Sequence, residues 1–101
     1  MNFRVHEEAR REAIGAGIHF DSLHAGLGDE FTAELLQAFE TIQESPRLFA
    51  TLESTKLAGE IRRVILKRFS YLVIYEILPD RIEVLAVTHG SREPDYWGPR
   101  R

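Results

Sequence analysis

The spacing of apolar positions changes along the chain and divides it into a helical first part and a strand-rich second part. Asn2 to Val5 is a short run flanked by charge and predicts a brief strand. From His6 the period becomes helical: Ala9, Ala13, Ala16, Phe20 and Leu23 recur at intervals of 4, 3, 4 and 3 and fall on one stripe. Gly26-Leu27-Gly28 interrupts that stripe and reads as a turn. Asp29 is then placed to cap a second helix, with Glu30 favourable in its first turn. Phe31, Leu35, Ala38, Phe39 and Ile42 give this helix a broad apolar face, and Ser45-Pro46 stops it, because a residue before proline is pushed out of the helical region. Residues 47–59 form a connector with one small apolar cluster, Leu48, Phe49 and Leu52. Ile61 to Leu66, Tyr71 to Leu78 and Ile82 to Thr88 are then rich in β-formers and predict three strands, the last two joined at Pro79-Asp80 by a type I turn.

The order β-α-α-β-β-β predicts an α+β fold, a small and largely antiparallel sheet with a helical hairpin packed on one face. If the helices run down and back up, the second strand must run opposite to the first. Gly15-Ala16-Gly17 supports close packing, since each mid-helix glycine costs roughly 1 kcal/mol against alanine. Close approach of the two helices explains it, as does room for a bound partner.

Composition adds exclusions. The 101 residues suit a single domain, 1–101, and 44% hydrophobic with 29% charged residues marks an ordinary globular chain. With no cysteine, disulfides, thiol catalysis and cysteine-ligated zinc are all out of reach. His6, His19 and His24 lack ligand spacing, so neither a metal nor another cofactor is expected. Tyr71 to Leu78 is too short for a membrane span and contains Glu76. The early Arg4, His6, Glu7 and Glu8 exclude a signal peptide, so the cytoplasm is the expected location. The net charge of −3 is uneven: residues 1–58 carry five basic and ten acidic groups, whereas residues 59–101 carry eight and six. This balance argues against a general nucleic-acid coat protein and leaves a local basic patch in the second part.

A series of motifs in this order carries a family resemblance. His6-Glu7-Glu8-Ala9-Arg10-Arg11-Glu12, Gly26-Leu27-Gly28-Asp29-Glu30-Phe31, Ser45-Pro46, Arg62-Arg63 and Phe69 to Tyr75 are followed by Val84 to Gly90 with Arg92, Pro94 and Trp97. Together they resemble the RelE/ParE toxins of bacterial type II toxin–antitoxin modules, most closely the ParE-like, plasmid-stabilisation branch. The resemblance covers nearly the whole chain. It implies a growth-inhibiting toxin held silent by a cognate antitoxin. The family divides on mechanism: ParE-type members poison DNA gyrase, and others cut mRNA on the ribosome.

RNA cleavage through the 2′-hydroxyl needs a base, an acid and cations for the phosphorane. Histidine suits either proton role, and arginine binds two phosphate oxygens at once. By the resemblance, Arg63, His89 and Tyr96 are the catalytic candidates if the protein is an endoribonuclease. Arg62, Lys67, Arg68 and Arg92 are candidates for contact with the target or with RNA. The connector from Thr51 to Glu60 offers only Glu53, Lys56 and Glu60, less equipment than the RNA-cutting members carry, so a gyrase poison without chemistry of its own takes precedence. An inactive relative that still pairs with its antitoxin is the remaining alternative. In each case the expected partners are proteins or the ribosome with its mRNA, not a membrane or a small-molecule substrate. The plainer readings are that the arginines form a solvated strand face, that His89 caps a strand end, and that Tyr71 and Tyr75 pack on the helices. Trp97 is expected to pin the tail to the domain.

Overall fold

The shortness of the first strand decides how the chain is wound. In the computed structural model, which describes residues 1–101, β1 (Asn2–Val5) pairs in parallel with only the first half of β4 (Arg81–His89), Asn2 opposite Arg81 and Val5 opposite Val84. β4 pairs antiparallel with β3 (Tyr71–Ile77), and β3 antiparallel with β2 (Glu60–Leu66), giving a four-stranded sheet in the order β1-β4-β3-β2. α1 (Glu7–Leu23) and α2 (Leu27–Glu44) cover one face. The α+β class and element order are therefore those the sequence predicts.

The expected direction of the second strand is corrected: β2 runs the same way as β1. The amide of His6 still bonds Val84 O at 2.9 Å, after which α1 continues in the sense of β1 along the upper half of β4 instead of turning back. Glu12 of α1 reaches Val87, and Phe20 stacks on Tyr71, which sits opposite His89 at the end of the sheet. α2 then descends, from Phe31 against Tyr71 to Phe39 against Phe3, so β2 has to climb again. The connector makes the reversal beside β2, with Leu52 N on Ile61 O at 2.9 Å and Arg63 N on Ala50 O at 3.1 Å.

A second correction concerns the start of α2. The helix begins at Leu27, before Asp29, and its N-cap is Gly26 at φ 89°, a left-handed conformation that glycine adopts without a Cβ penalty. Asp21, near the end of α1, does the capping: its Oδ1 accepts from Gly26 N at 3.1 Å and Gly28 N at 2.9 Å. The glycine reading holds at one of two positions. Gly17 faces Gly28 so closely that a Cβ on Gly28 would collide with the Gly17 carbonyl, whereas Gly15 has open space around it.

The main core lies between helices and sheet. Phe31, Leu35 and Ile42 of α2 meet Val73 and Tyr75 of β3 and Val84 of β4, all nearly or fully buried. Leu23, expected on the stripe of α1, projects into solvent past the end of the packing. Tyr75 packs as expected and donates its hydroxyl to Pro46 O at 2.6 Å, tying down the exit of α2, and burial pushes its pKa up to about 12.

Candidate functional site

The second face of the sheet is covered by the chain's own tail. β4 carries a bulge: its register moves from Ile74 opposite Ala86 to Tyr75 opposite Val84, leaving Leu85 without a partner. Leu85 and Ala86 consequently both point to the second face, where they pack with Ile61, Ile74 and Trp97. Trp97 is 1% exposed and is the centre of this smaller core, the pinning role expected of it. Asp95, at φ 62°, ties the tail to the connector by accepting from Lys56 N at 3.1 Å. The Thr55 hydroxyl and the Lys56 amide hold the Asp95 carboxyl below its ordinary range.

The tail is also fixed at the edge of the sheet. Above Val84, β4 has no neighbour on the β1 side, which leaves Leu85 C=O and Val87 N–H facing outward. Glu12 and Arg100 fill that gap. Glu12 Oε1 accepts from Val87 N at 3.1 Å, and Arg100 Nη1 donates to Leu85 O at 2.9 Å. The two side chains pair with each other in bidentate fashion at 2.8 and 3.1 Å. A carboxylate and a guanidinium thus stand where the next residue of β1 would have supplied its own acceptor and donor. Tyr96 completes the cluster, its hydroxyl donating to Glu12 Oε2 at 2.6 Å. Burial alone pushes the Glu12 pKa up, but the bonds from Arg100, Tyr96 and Val87 N outweigh it and hold the carboxyl below its ordinary value. Burial, then the bond to Glu12, raises the Tyr96 pKa.

Between the tail and the top of the sheet lies an open cleft of about 220 Å³, floored by Leu72, Ile74 and Thr88 and rimmed by His89, Arg92 and Tyr96. Arg92 stands over the Tyr96 ring at 4.0 Å, a cation–π contact. His89 stacks edge-on against Tyr71 at 5.8 Å. Its Nδ1 accepts from Ser91 N at 3.1 Å and lies 2.7 Å from Ser91 Oγ. An Nδ1 that accepts an amide hydrogen carries the lone pair, so neutral His89 bears its proton on Nε2, the nitrogen left for other contacts.

The remaining sequence candidates stand elsewhere. Arg63 shares the second-face side of β2 with Ile61 but does not line the cleft. Arg62 is taken up in structure: it donates to Glu60 at 3.1 Å and to Phe49 O at 2.6 Å, holding the connector to β2. Arg68 pairs with Glu30 at 2.6 Å and Glu34 at 3.7 Å, joining the β2–β3 turn to α2, and Lys67 precedes it in the same turn. Of the eight basic groups in residues 59–101, Arg63, Lys67 and Arg92 pair with no carboxylate. The sequence reading did not single out Glu12, Arg100, or the pair of Arg101 with buried Glu76 at 2.8 Å. One signal for Glu12 was present: it lies three residues after Ala9 and four before Ala16, an acid on the inward stripe of α1. No group of His, Asp or Glu is gathered for a metal ion, and no helix is long and apolar enough to cross a membrane.

A second concave surface lies on the outside of the helical hairpin. Ile14, Ile18 and Leu36, 52%, 67% and 54% exposed, border two adjoining hollows that share Ala13, Ile14 and Thr32. The larger, about 400 Å³, is mostly apolar and has Arg10 on its margin.

Comparison with known proteins accords with this architecture. In structure the chain is similar to one from a chromosomal ParDE toxin–antitoxin system of P. aeruginosa, at a TM-score of 0.69 and 12% identity, over 88% of this chain and 95% of that one. No curated protein matches its sequence. The family model of the ParE toxin of the type II toxin–antitoxin system parDE matches residues 5–94, short of Tyr96, Trp97 and Arg100. With that match spanning most of its length, the chain belongs to the ParE toxin family of type II toxin–antitoxin systems.

Proposed function

We propose that the protein is a growth-inhibiting toxin that acts on DNA gyrase by binding it, and that a cognate antitoxin neutralises it. The observation that carries the binding reading is the state of the proton-transfer candidates. The Tyr96 hydroxyl is committed to Glu12, the lone pair of His89 is engaged by Ser91, and Arg63 is away from the cleft that His89 and Tyr96 share. A base with its lone pair taken and an acid tied to a carboxylate are poorly set for phosphoester cleavage. The cleft is better suited to docking, with Arg92 offered at its rim without a carboxylate partner. The antitoxin takes the apolar hollows bordered by Ile14, Ile18 and Leu36, as an amphipathic segment laid along the hairpin.

The experiment is inhibition of gyrase supercoiling, together with accumulation of cleaved gyrase–DNA complexes, by the purified protein with and without its antitoxin. Ribosome-dependent mRNA cleavage is the second reading, favoured by one observation, that His89 and Arg92 share a rim. Under it His89→Ala with Arg63→Ala abolishes toxicity; under the gyrase reading loss of the histidine does not.

A further inference from the structure

We infer that Glu12 is a positioning residue for the tail cleft, setting from α1 where Arg92 is presented on the opposite side of the sheet; the inference rests on the proposal that this cleft faces the target. Glu12 and Tyr96 are 84 positions apart in sequence, yet the Tyr96 hydroxyl lies 2.6 Å from Glu12 Oε2. The other carboxylate oxygen is held by Val87 N, so the acceptor is fixed to the sheet and not to a mobile surface. Arg100 locks the carboxylate from the other side and is itself bonded to Leu85 O. The Tyr96 ring therefore has its far end fixed, and Arg92 rests on that ring at 4.0 Å.

Arg92 has no carboxylate of its own, and its one other hold is its backbone amide on His89 O at 3.0 Å. Its side-chain position thus follows the ring, and the ring follows Glu12. Tyr96 also packs against the smaller core around Trp97, but apolar packing carries little direction, and the hydrogen bond at the far end of its ring goes to Glu12. A structural role for Glu12 accounts for its bonds to Val87 and Arg100. The additional bond to Tyr96, whose ring lies under Arg92 at 4.0 Å as well as under Arg100 at 5.0 Å, gives it a functional one.

The test compares Glu12→Gln, Tyr96→Phe and Arg92→Ala in the full chain by growth inhibition on expression and by amide hydrogen exchange. Positioning predicts that the hydrogen-bonded tail amides of Arg92, Gly98 and Arg100 exchange at least tenfold faster in Glu12→Gln, with residues 71–77 unchanged. It also predicts that Tyr96→Phe, which leaves the ion pair whole, weakens toxicity about as much as Arg92→Ala. Combining Tyr96→Phe with Arg92→Ala should bring no further loss. Unchanged exchange in Glu12→Gln, or losses that multiply when Tyr96→Phe and Arg92→Ala are combined, overturns the inference. If Arg92→Ala alone leaves toxicity intact, the target-facing reading of the cleft fails instead, and the exchange rates still decide whether Glu12 fixes the tail.

Discussion

Glu12 and Arg100, 88 positions apart, form a bidentate ion pair that closes the open half of the β4 edge. Both side chains are largely shielded, at 19% and 14% exposure, so the pair is screened far less than a surface one. Removing one partner leaves a shielded charge and a backbone group without partners. Arg100→Ala should therefore cost about 2 kcal/mol, the scale of a charge-assisted hydrogen bond lost from a buried site. Urea denaturation measures it, and a change within about 0.5 kcal/mol, the range of ordinary surface substitutions, would place the pair among negligible contacts.

The same carboxylate makes stability depend on acid. The folded pKa of Glu12 is held below its ordinary value of 4.5, so its contribution is complete above that pH and is lost as pH falls through the folded value. Unfolding curves between neutral pH and pH 3 should show the stability of the native chain declining more steeply than that of Glu12→Gln. Parallel curves for the two proteins would contradict the assignment.

Gly15 and Gly28 should respond in opposite ways to alanine. Space is open at Gly15 in mid-helix, so Gly15→Ala should gain up to about 1 kcal/mol from helix propensity. A Cβ on Gly28 meets the backbone of Gly17, which cannot swing aside, and Gly28→Ala should lose about 1–3 kcal/mol through overpacking. Thermal melts of the two variants give the comparison, and shifts of the same sign would refute the close crossing of α1 and α2 at this point.

Trp97 is the chain's single tryptophan, and its burial makes the tail visible by fluorescence. Native emission should be blue-shifted and weakly quenched by iodide. Trp97→Ala should cost about 3–5 kcal/mol, as for a large side chain removed from a packed core. Emission already at the wavelength of solvated tryptophan in the native protein would mean that the tail does not lie on the sheet.

How much of this was legible in the sequence depends on the range of the interactions involved. Phe31, Leu35 and Ile42 announce their burial through local periodicity, and the strands from Tyr71 and Ile82 through runs of β-formers. Trp97 was readable as an anchor because a lone large aromatic in a polar tail has few other uses. The direction of α1 was not readable, since it turns on β1 pairing with half of β4 and leaving the rest to a helix. The start of α2 was misassigned because its cap comes from Asp21, on the preceding helix, and not from the residue before the apolar run. The site suffered most. His89, Arg92 and Tyr96 follow one another closely enough to suggest a cluster, but the carboxylate that holds Tyr96, Glu12, is brought in only by the folded topology.

Gyrase itself gives the most direct measurement of toxin action by binding. Purified protein, added to gyrase and relaxed plasmid, should block supercoiling and trap cleaved DNA, and the antitoxin should reverse both effects. His89→Ala should not abolish the activity, since no proton transfer depends on it. Supercoiling that proceeds unaffected, together with mRNA cleavage on ribosomes that His89→Ala abolishes, would contradict the binding account and make the tail cleft a catalytic site.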